Sequence, residues 1–459
     1  MSTLLASYRS LLDQSWKGVF RQARTRQRAI EHAVLWPAAF GRRTVSQTIC
    51  TAGRSQQDWS ADYKLFSRSR WKPQELFGRV TEEYLSRYPK QAVVLAIDDT
   101  RVAKSGRKIP GASWQRDPLS PPFQVNLMWS LRFLQCSLLF PHHREGDFSS
   151  RAYPVGFEHV PVVKKPGKRA SEQQHRQYRT LRQQMNLSTR SLEWIRDFRR
   201  QLDDLRAADR PLRVVGDGSF SNRTFYKRPL ERVELLSRCR KDARLCLPAP
   251  EGCGRKYALE IFTPEDVRQS RRCLWRTCKI SYGHRRHRLR YKLVEPVFWR
   301  RGAGIRKLRL IVIAAVPYKI SPRARRNYRD PAYLFSTDLR TPVRELIQSY
   351  LDRWQIEVNH RDEKTVLAVG QAQVWSPRSV DRQPALTVAS YSMLLLTGLL
   401  CFGPGRSSLF PSLPKWRTHS HRASVLDLLT LLRKEIIETS VQDPAHAKLM
   451  KNLMLCGKT

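Results

Sequence analysis

Acidic residues are scarce in this chain. Its 459 residues hold 40 Asp and Glu against 84 Lys and Arg, a net charge of +44. The excess runs along the whole length, which excludes a neutral enzyme with a basic tail. The partner expected for such a surface is a polyanion, with DNA or RNA first. Most of the cations are Arg, whose planar fork suits bidentate contact with phosphate. No amphipathic basic helix dominates, so a membrane surface is not the expected partner. No Walker or G-x-G-x-x-G sequence occurs, and no nucleotide cofactor is expected. No C-x2-C, H-x3-H or H-E-x-x-H pattern occurs either. Five of the nine Cys fall irregularly between Cys239 and Cys278. Buried reduced thiols in a cytosolic protein are therefore expected rather than a zinc site. Residues 1–20 show no secretory leader. The long apolar run Ala385–Phe402 is about long enough to span a bilayer. It carries Thr387, Ser390, Tyr391, Ser392 and Thr397, however, and reads as a buried core helix. There is no internal repeat and no long low-complexity tract.

Hydrophobic residues make up 41% of the chain, enough to bury real cores in two or three domains. Residues 1–90 read as short helices with basic loops: a probable DNA-binding domain. Thr44, with Gln47 three residues later and Gly53 beyond, marks one capped helix. A second is expected over Asp58–Ser67, and Pro73 opens a third that runs to about Arg87. Gln91–Ile97 is a continuous apolar run ending in Asp98 and Asp99, the pattern of a buried strand with carboxylates at its end. Phe123–Phe133 and Gln135–Phe140 read as two further strands, after a loop over Lys104–Pro122. Polar helices are expected over 172–208, with an apolar stripe of Leu181, Met185, Leu192, Trp194, Ile195 and Phe198. Arg213–Gly216 is a short strand ending in Asp217, and Asn222 can cap the next helix. Ala243–Pro248 reads as a fifth strand. Residues 249–340 alternate strands (Tyr257–Phe262, Arg288–Phe298, Leu308–Val316, Tyr333–Ser336) with basic turns. They hold the densest basic block, His284–Lys292, interleaved with Trp275, Tyr282, Tyr291 and Trp299. Pro384 is read as the start of the apolar helix, Pro404–Pro414 as a loop, and Val425–Ile437 as a final amphipathic helix.

The stretch Tyr350–Lys364 has no Gly or Pro and reads as helix. At about 100° per residue from Tyr350, Arg353 falls near −60°, Glu357 near −20° and Lys364 near −40°. A phenol, two cations and a carboxylate thus share one narrow face. A solvated charged face is the plain alternative. Apolar neighbours such as Leu346, Ile347, Leu351, Ile356 and Val358 favour a half-buried helix, on which a carboxylate needs a partner or a metal.

The spacing Y-x2-R-x3-E-x6-K over Tyr350, Arg353, Glu357 and Lys364 resembles the signature of the DDE transposases of bacterial insertion sequences. Ala96-Ile97-Asp98-Asp99-Thr100 is similar to the context of that family's first aspartate, with Asp99 in the catalytic place. Strand alternation points Asp98 the other way. Asp217 corresponds to the second aspartate and Glu357 to the glutamate. The resemblance implies an RNase H-like α/β core interrupted by a β-rich insertion, with a helical N-terminal domain and a helical C-terminal end. The divisions expected are 1–90, a core over 91–248, the insertion over 249–340, the rest of the core over 341–403, and 404–459. It also implies that the first and fourth strands are neighbours, so that Asp99, Asp217 and Glu357 converge. Clustered carboxylates repel and call for a cation. Hard oxygen ligands select Mg²⁺ or Mn²⁺, two ions in this family, for in-line phosphoryl transfer on DNA.

By the same resemblance Tyr350, Arg353 and Lys364 would contact DNA phosphates, and a Trp of the insertion, Trp299 or Trp275, would stack on a base. Either Trp has an ordinary packing role as its alternative. The implied protein is a cytoplasmic, nucleoid-associated transposase. It would bind double-stranded element ends, cleave them, and join them to target DNA as a homodimer. The alternatives are a hydrolytic nuclease on the same core without strand transfer, and a catalytically silent DNA-binding repressor.

Overall fold

A computed structural model describes residues 3–39, 41–121, 123–141, 150–283, 285–320, 323–413, 415–416 and 422–442. Pro122 of the expected loop, His284 of the basic block, Pro414, and 443–459 of the C-terminal region lie outside the described residues. Five helices come first: α1 (Leu4–Trp16), α2 (Ala23–Ala38), α3 (Val45–Thr51), α4 (Ser60–Ser67) and α5 (Gly78–Arg87). Thr44 caps α3 as its spacing predicts, accepting from the Gln47 amide at 3.0 Å. Pro73 opens a 3-10 turn, Pro73–Phe77, that leads into α5. Strands β1 (Val93–Ala103), β2 (Ser113–Arg116), β3 (Leu127–Pro141) and β4 (Ser150–His159) follow. Then come α6 (Glu172–Gln184), α7 (Leu187–Asp204), β5 (Leu212–Gly216), α8 (Arg223–Lys227) and β6 (Val233–Arg238). The next segment runs α9 (Pro264–Gln269), β7 (Arg276–Tyr282), β8 (Arg285–Phe298), α10 (Arg300–Ala303) and β9 (Lys307–Ile313). It continues with β10 (Val316–Tyr318), β11 (Asn327–Arg329) and β12 (Ala332–Ser336). The chain closes with α11 (Val343–Asp352), α12 (Trp354–Arg361), α13 (Pro377–Phe402) and α14 (Val425–Gln442).

Ten strands form one mixed sheet in the order β2-β3-β1-β5-β6-β12-β9-β8-β7, with β4 beside β3, and β10 and β11 pair separately as an antiparallel ribbon. β1, β5 and β6 are parallel, and the other pairings are antiparallel. This mixed α/β architecture is compatible with an RNase H-like core. The strand carrying Asp98 and Asp99 lies directly beside the one that ends at Asp217. Strands β7–β9 and β12, from 249–340, extend this same sheet.

Several local expectations are corrected. The two strands read over Phe123–Phe140 are one strand, β3. Its Gln135 is buried and bonded to Glu363, so a polar residue does not interrupt it. Ala243–Pro248 and Tyr257–Phe262 are not strands and make only isolated bridges, such as Leu245 to Phe262. The strand in that region is β6. α6 buries no residue and Leu181 is exposed, so the apolar stripe belongs to α7 alone. Pro384 lies inside α13, which starts at Pro377.

α13 passes the length and composition test for a membrane span, yet 83% of its most apolar window is buried inside the protein. Helices α1, α2, α4 and α14 and strand β4 pack around it. Tyr8 donates to the Ser390 carbonyl at 2.8 Å. Leu386, Leu394, Leu395 and Leu396 are each almost wholly buried, worth about 2 kcal/mol apiece.

Helices α11 and α12 are fastened to the sheet at both ends. Arg213 of β5 donates to Asp338 Oδ2 at 3.1 Å, Thr341 Oγ1 at 2.7 Å and Ser349 Oγ at 3.3 Å. In the middle, Asn359 donates to the Ala152 carbonyl and accepts from Ser137 Oγ. At the far end Lys104 Nζ donates to the Gly370 and Ala372 carbonyls, both at 2.8 Å. Gly370 has φ +104°, and a Cβ there would lie 2.0 Å from Val102 Cγ1 of β1. Gly370→Ala is expected to cost about 2 kcal/mol or more through backbone strain and overpacking. Urea unfolding checks this. An unchanged midpoint would show that the turn can shift freely.

Candidate functional site

β1 and β5 are buried and parallel over Val93–Ala96 and Leu212–Val215. β5 ends at Gly216, but β1 does not stop at its acids as the sequence pattern suggests. It runs on to Ala103, paired with β3, so Asp98 and Asp99 lie within the strand just past the β5 pairing, close enough to Asp217 to feel its charge. Asp217 terminates β5 and caps the turn Gly218–Phe220. Its Oδ1 accepts from the Ser219 amide at 2.8 Å and Ser219 Oγ at 2.6 Å. Asp98 Oδ1 accepts from the Asp99 amide at 2.9 Å, and its Oδ2 lies 3.7 Å from Arg353 Nη1. Burial pushes the Asp98 carboxyl up to about 7, and the negative charge of Asp217 adds to this. Arg353 opposes both. Asp99 is also raised by burial, against the pull of Arg101 and Arg132. Arg101 Nη1 stands 3.4 Å from its Oδ2, an oxygen that is buried and has no hydrogen-bond partner.

Arg353 is buried between two acids. Its Nη2 donates to Glu357 Oε1 at 2.9 Å, while Nη1 faces Asp98. The Tyr350 ring centroid lies 6.0 Å from the guanidinium carbon. The single helix expected over Tyr350–Lys364 is broken at Arg353, which closes α11 and opens α12. Its backbone stays in the right-handed helical region, so Arg353 still meets Tyr350 on α11 and Glu357 on α12. The regular spacing does not continue to Lys364, because residues Asp362–Val366 form a π turn. Lys364 is exposed, yet it feels the charges of Glu363, Asp98 and Asp99.

A cleft of about 1080 Å³ opens beside part of this arrangement; Asp98, Asp99 and Lys364 do not line it. Asp217, Tyr350, Arg353 and Glu357 line it. So do Arg238, Arg240, Lys241 and Trp354, which the sequence reading did not single out. The Arg238-Cys239-Arg240-Lys241 run begins at the last residue of β6, and only the general excess of basic residues hid it. Trp299 does not reach the cleft. It packs between Tyr226 and Phe335, with ring centroids at 5.8 and 5.4 Å, and the Gly302 backbone lies against its ring. Trp275 lines a neighbouring cavity instead.

As candidate metal donors, Asp98, Asp99 and Asp217 are electrostatically coupled, and the unbonded Asp99 Oδ2 suits a cation. Glu357 is held by Arg353. Among the described residues no three acidic, His or Cys side chains gather closely enough to hold one ion as they stand. The eight described Cys are free thiols.

Acids brought near one another by adjoining parallel strands, beside a cleft rich in Arg and Lys, define an α/β protein suited to an anionic polymer. Residues 22–287 match the family of DDE superfamily endonucleases. The match covers more than half of the chain, and the protein belongs to this family. It is a nuclease- or transposase-type enzyme with DNA as its substrate. Asp98, Asp99 and Asp217 fall inside the matched region, whereas Tyr350, Arg353, Glu357 and Lys364 lie beyond it. No curated protein matches the chain.

Proposed function

We propose that this protein is a transposase that cuts the ends of a DNA element and joins them to target DNA, with Asp99, Asp217 and Glu357 as metal ligands. The observation that carries this is that β1 and β5 lie side by side, so that Asp98 and Asp99 within β1 feel the charge of Asp217 just past the end of β5, with Glu357 linked to Asp98 across Arg353. Mg²⁺ or Mn²⁺, bound as a pair, would activate the attacking oxygen and stabilise the leaving one. Asp99 and Asp217 fit as one pair of donors, since Asp99 keeps a buried oxygen free of hydrogen bonds. Glu357 joins them by giving up Arg353. That guanidinium, with Tyr350 and Lys364, then faces the phosphates around the cut. Asp98 has a different part: one oxygen is held by the Asp99 amide, and the other restrains Arg353. The helical segment 1–90 and the basic strands of 249–340 extend the DNA contact, and two copies pair the two ends.

The experiment compares Asp99→Asn with Asp98→Asn on duplex DNA from the flanks of the coding sequence, with Mn²⁺. Asp99→Asn is expected to lose at least about 100-fold in cleavage rate, since it removes a charge from the reacting centre. Asp98→Asn is expected to lose about tenfold or less. The reverse order would transfer the ligand role to Asp98. Equal wild-type rates for both would remove β1 from the chemistry. Joining of the cut 3′-end into a second duplex separates the transposase from a hydrolytic nuclease.

A further inference from the structure

The cleft does not end at the acids. Arg268, Ala315 and Pro331 line it and also line a second cavity of about 430 Å³. The charged residues around that second cavity are Arg268, Arg288 and Arg290, with no acid among its lining residues. Its aromatic members are Trp275 and Tyr328, and Arg290 stands 5.0 Å over the Trp275 ring. A run of cations without carboxylates suits phosphates and not a metal ion.

Arg268 stands at the junction, and the fold holds it there. It belongs to the short helix α9, whose N-terminus is closed by a capping box between Thr263 and Asp266. At the other end Lys292 Nζ donates to the Val267, Arg268 and Ser270 carbonyls at 3.0, 2.9 and 2.6 Å. Glu265 takes Arg268 Nε on both carboxylate oxygens, at 3.0 and 2.9 Å, and also accepts from Nη2. Tyr333 and Gln269 donate to the same carboxylate. Those bonds, the one from Arg268 first, hold the Glu265 carboxyl down at about 2, so the clamp stays ionised at any working pH. The guanidinium is fixed in place before any ligand arrives, which lowers the ordering cost of binding.

We propose that the two cavities form one path for a DNA strand, and that Arg268 at their junction contacts a backbone phosphate, with Glu265 as its positioning residue. This rests on the reading of the cleft as the DNA cleavage site, and it adds where the strand runs beyond that site. The test uses the full chain without divalent metal and the flanking duplex. Single phosphates on each strand are replaced in turn by neutral methylphosphonates. Binding is read by fluorescence anisotropy. In the wild type, neutralising one phosphate is expected to weaken binding about tenfold, the scale of one charged contact. Arg268→Ala is expected to lose the same factor on unmodified DNA and to be insensitive at that one position. Its salt dependence should fall by about one unit of slope. Glu265→Gln, which keeps the cation but loosens it, is expected to lose part of that affinity. Arg268→Lys should recover part of it and guards against a folding defect in the alanine variant. The strand path is overturned if Arg268→Ala binds as the wild type does. It is also overturned if its loss adds equally to every methylphosphonate. Cleavage with Mn²⁺ is read separately. If nothing is cut while the phosphate map holds, the cleavage reading fails and the groove remains a DNA path.

Discussion

Glu357→Gln is expected to lower metal-dependent DNA cleavage by about 10³-fold while DNA affinity stays within about threefold. Glutamine keeps the length and shape of the side chain and can still accept from Arg353. What it lacks is the charge that the proposed ligand role of Glu357 needs. Glu357 is about one-third exposed and makes its hydrogen bond to Arg353. The fold loses little by the exchange, so melting should move by only a few degrees. Cleavage time courses with Mg²⁺ and with Mn²⁺, beside anisotropy binding curves, measure both sides of the expectation. A variant that cuts at the wild-type rate would remove Glu357 from the site. A variant that neither cuts nor binds would mean that the substitution acts on the DNA surface rather than on the chemistry.

The second large effect concerns stability and pH. Glu363 sits inside the protein beneath the same helix and accepts from Gln135 Nε2 at 2.8 Å. Burial pushes its carboxyl up to about 8 from an ordinary value of 4.5, against smaller opposing pulls from Gln135 and Lys364. The folded state therefore holds this proton where the unfolded chain has released it. The stability linked to Glu363 is complete below about pH 4.5 and is lost as the pH rises to about 8. Glu363→Gln removes that slope and can still accept from Gln135. The variant should match the wild type near pH 4.5 and exceed it at pH 8 by on the order of 4 kcal/mol. Denaturant unfolding at a series of pH values, each against the wild type, checks this. A constant difference across the range would mean that Glu363 is ionised in the folded protein.

The same residue shows why part of the fold was hidden in the sequence. Gln135 and Glu363 each look like a residue for solvent, and Gln135 was read as the start of a second strand rather than the middle of one. Each is buried because the other is there, and a partner 228 residues away leaves no mark on local periodicity. β1 and β5 were legible because continuous apolar runs need no distant partner to be recognised, but β1 does not stop at Asp99: pairing with β3 carries it on to Ala103. Thr44 and Asn222 were legible as caps for the same reason: their bonds reach only two or three residues along the chain. Ala243–Pro248 is apolar enough for a strand. Its neighbours Phe262 and Phe298 cover it without offering a continuous ladder, and burial was mistaken for pairing. At the site, spacing brought Tyr350, Arg353 and Glu357 together. It could not foresee a π turn after Arg361, since a wider turn changes the register without changing the residue types. Arg238, Arg240, Lys241 and Arg268 are indistinguishable from the other cations until the sheet sets them around one opening.

The packing of α1 against α13 has a consequence for biosynthesis. Tyr8 finds its partner at Ser390, 382 residues later, and the Leu4 and Leu5 amides are bonded to Glu435 of α14. At about 5–20 residues per second, a ribosome takes roughly 20–80 s to make that intervening chain. Through that time the apolar faces of α1 and α2 have no native cover from α13. The nascent protein therefore depends on other shelter, and chains released before α13 should be poorly soluble. A cleft whose Glu357 and whose core helix both arrive late is also one that stays unassembled until synthesis is nearly over.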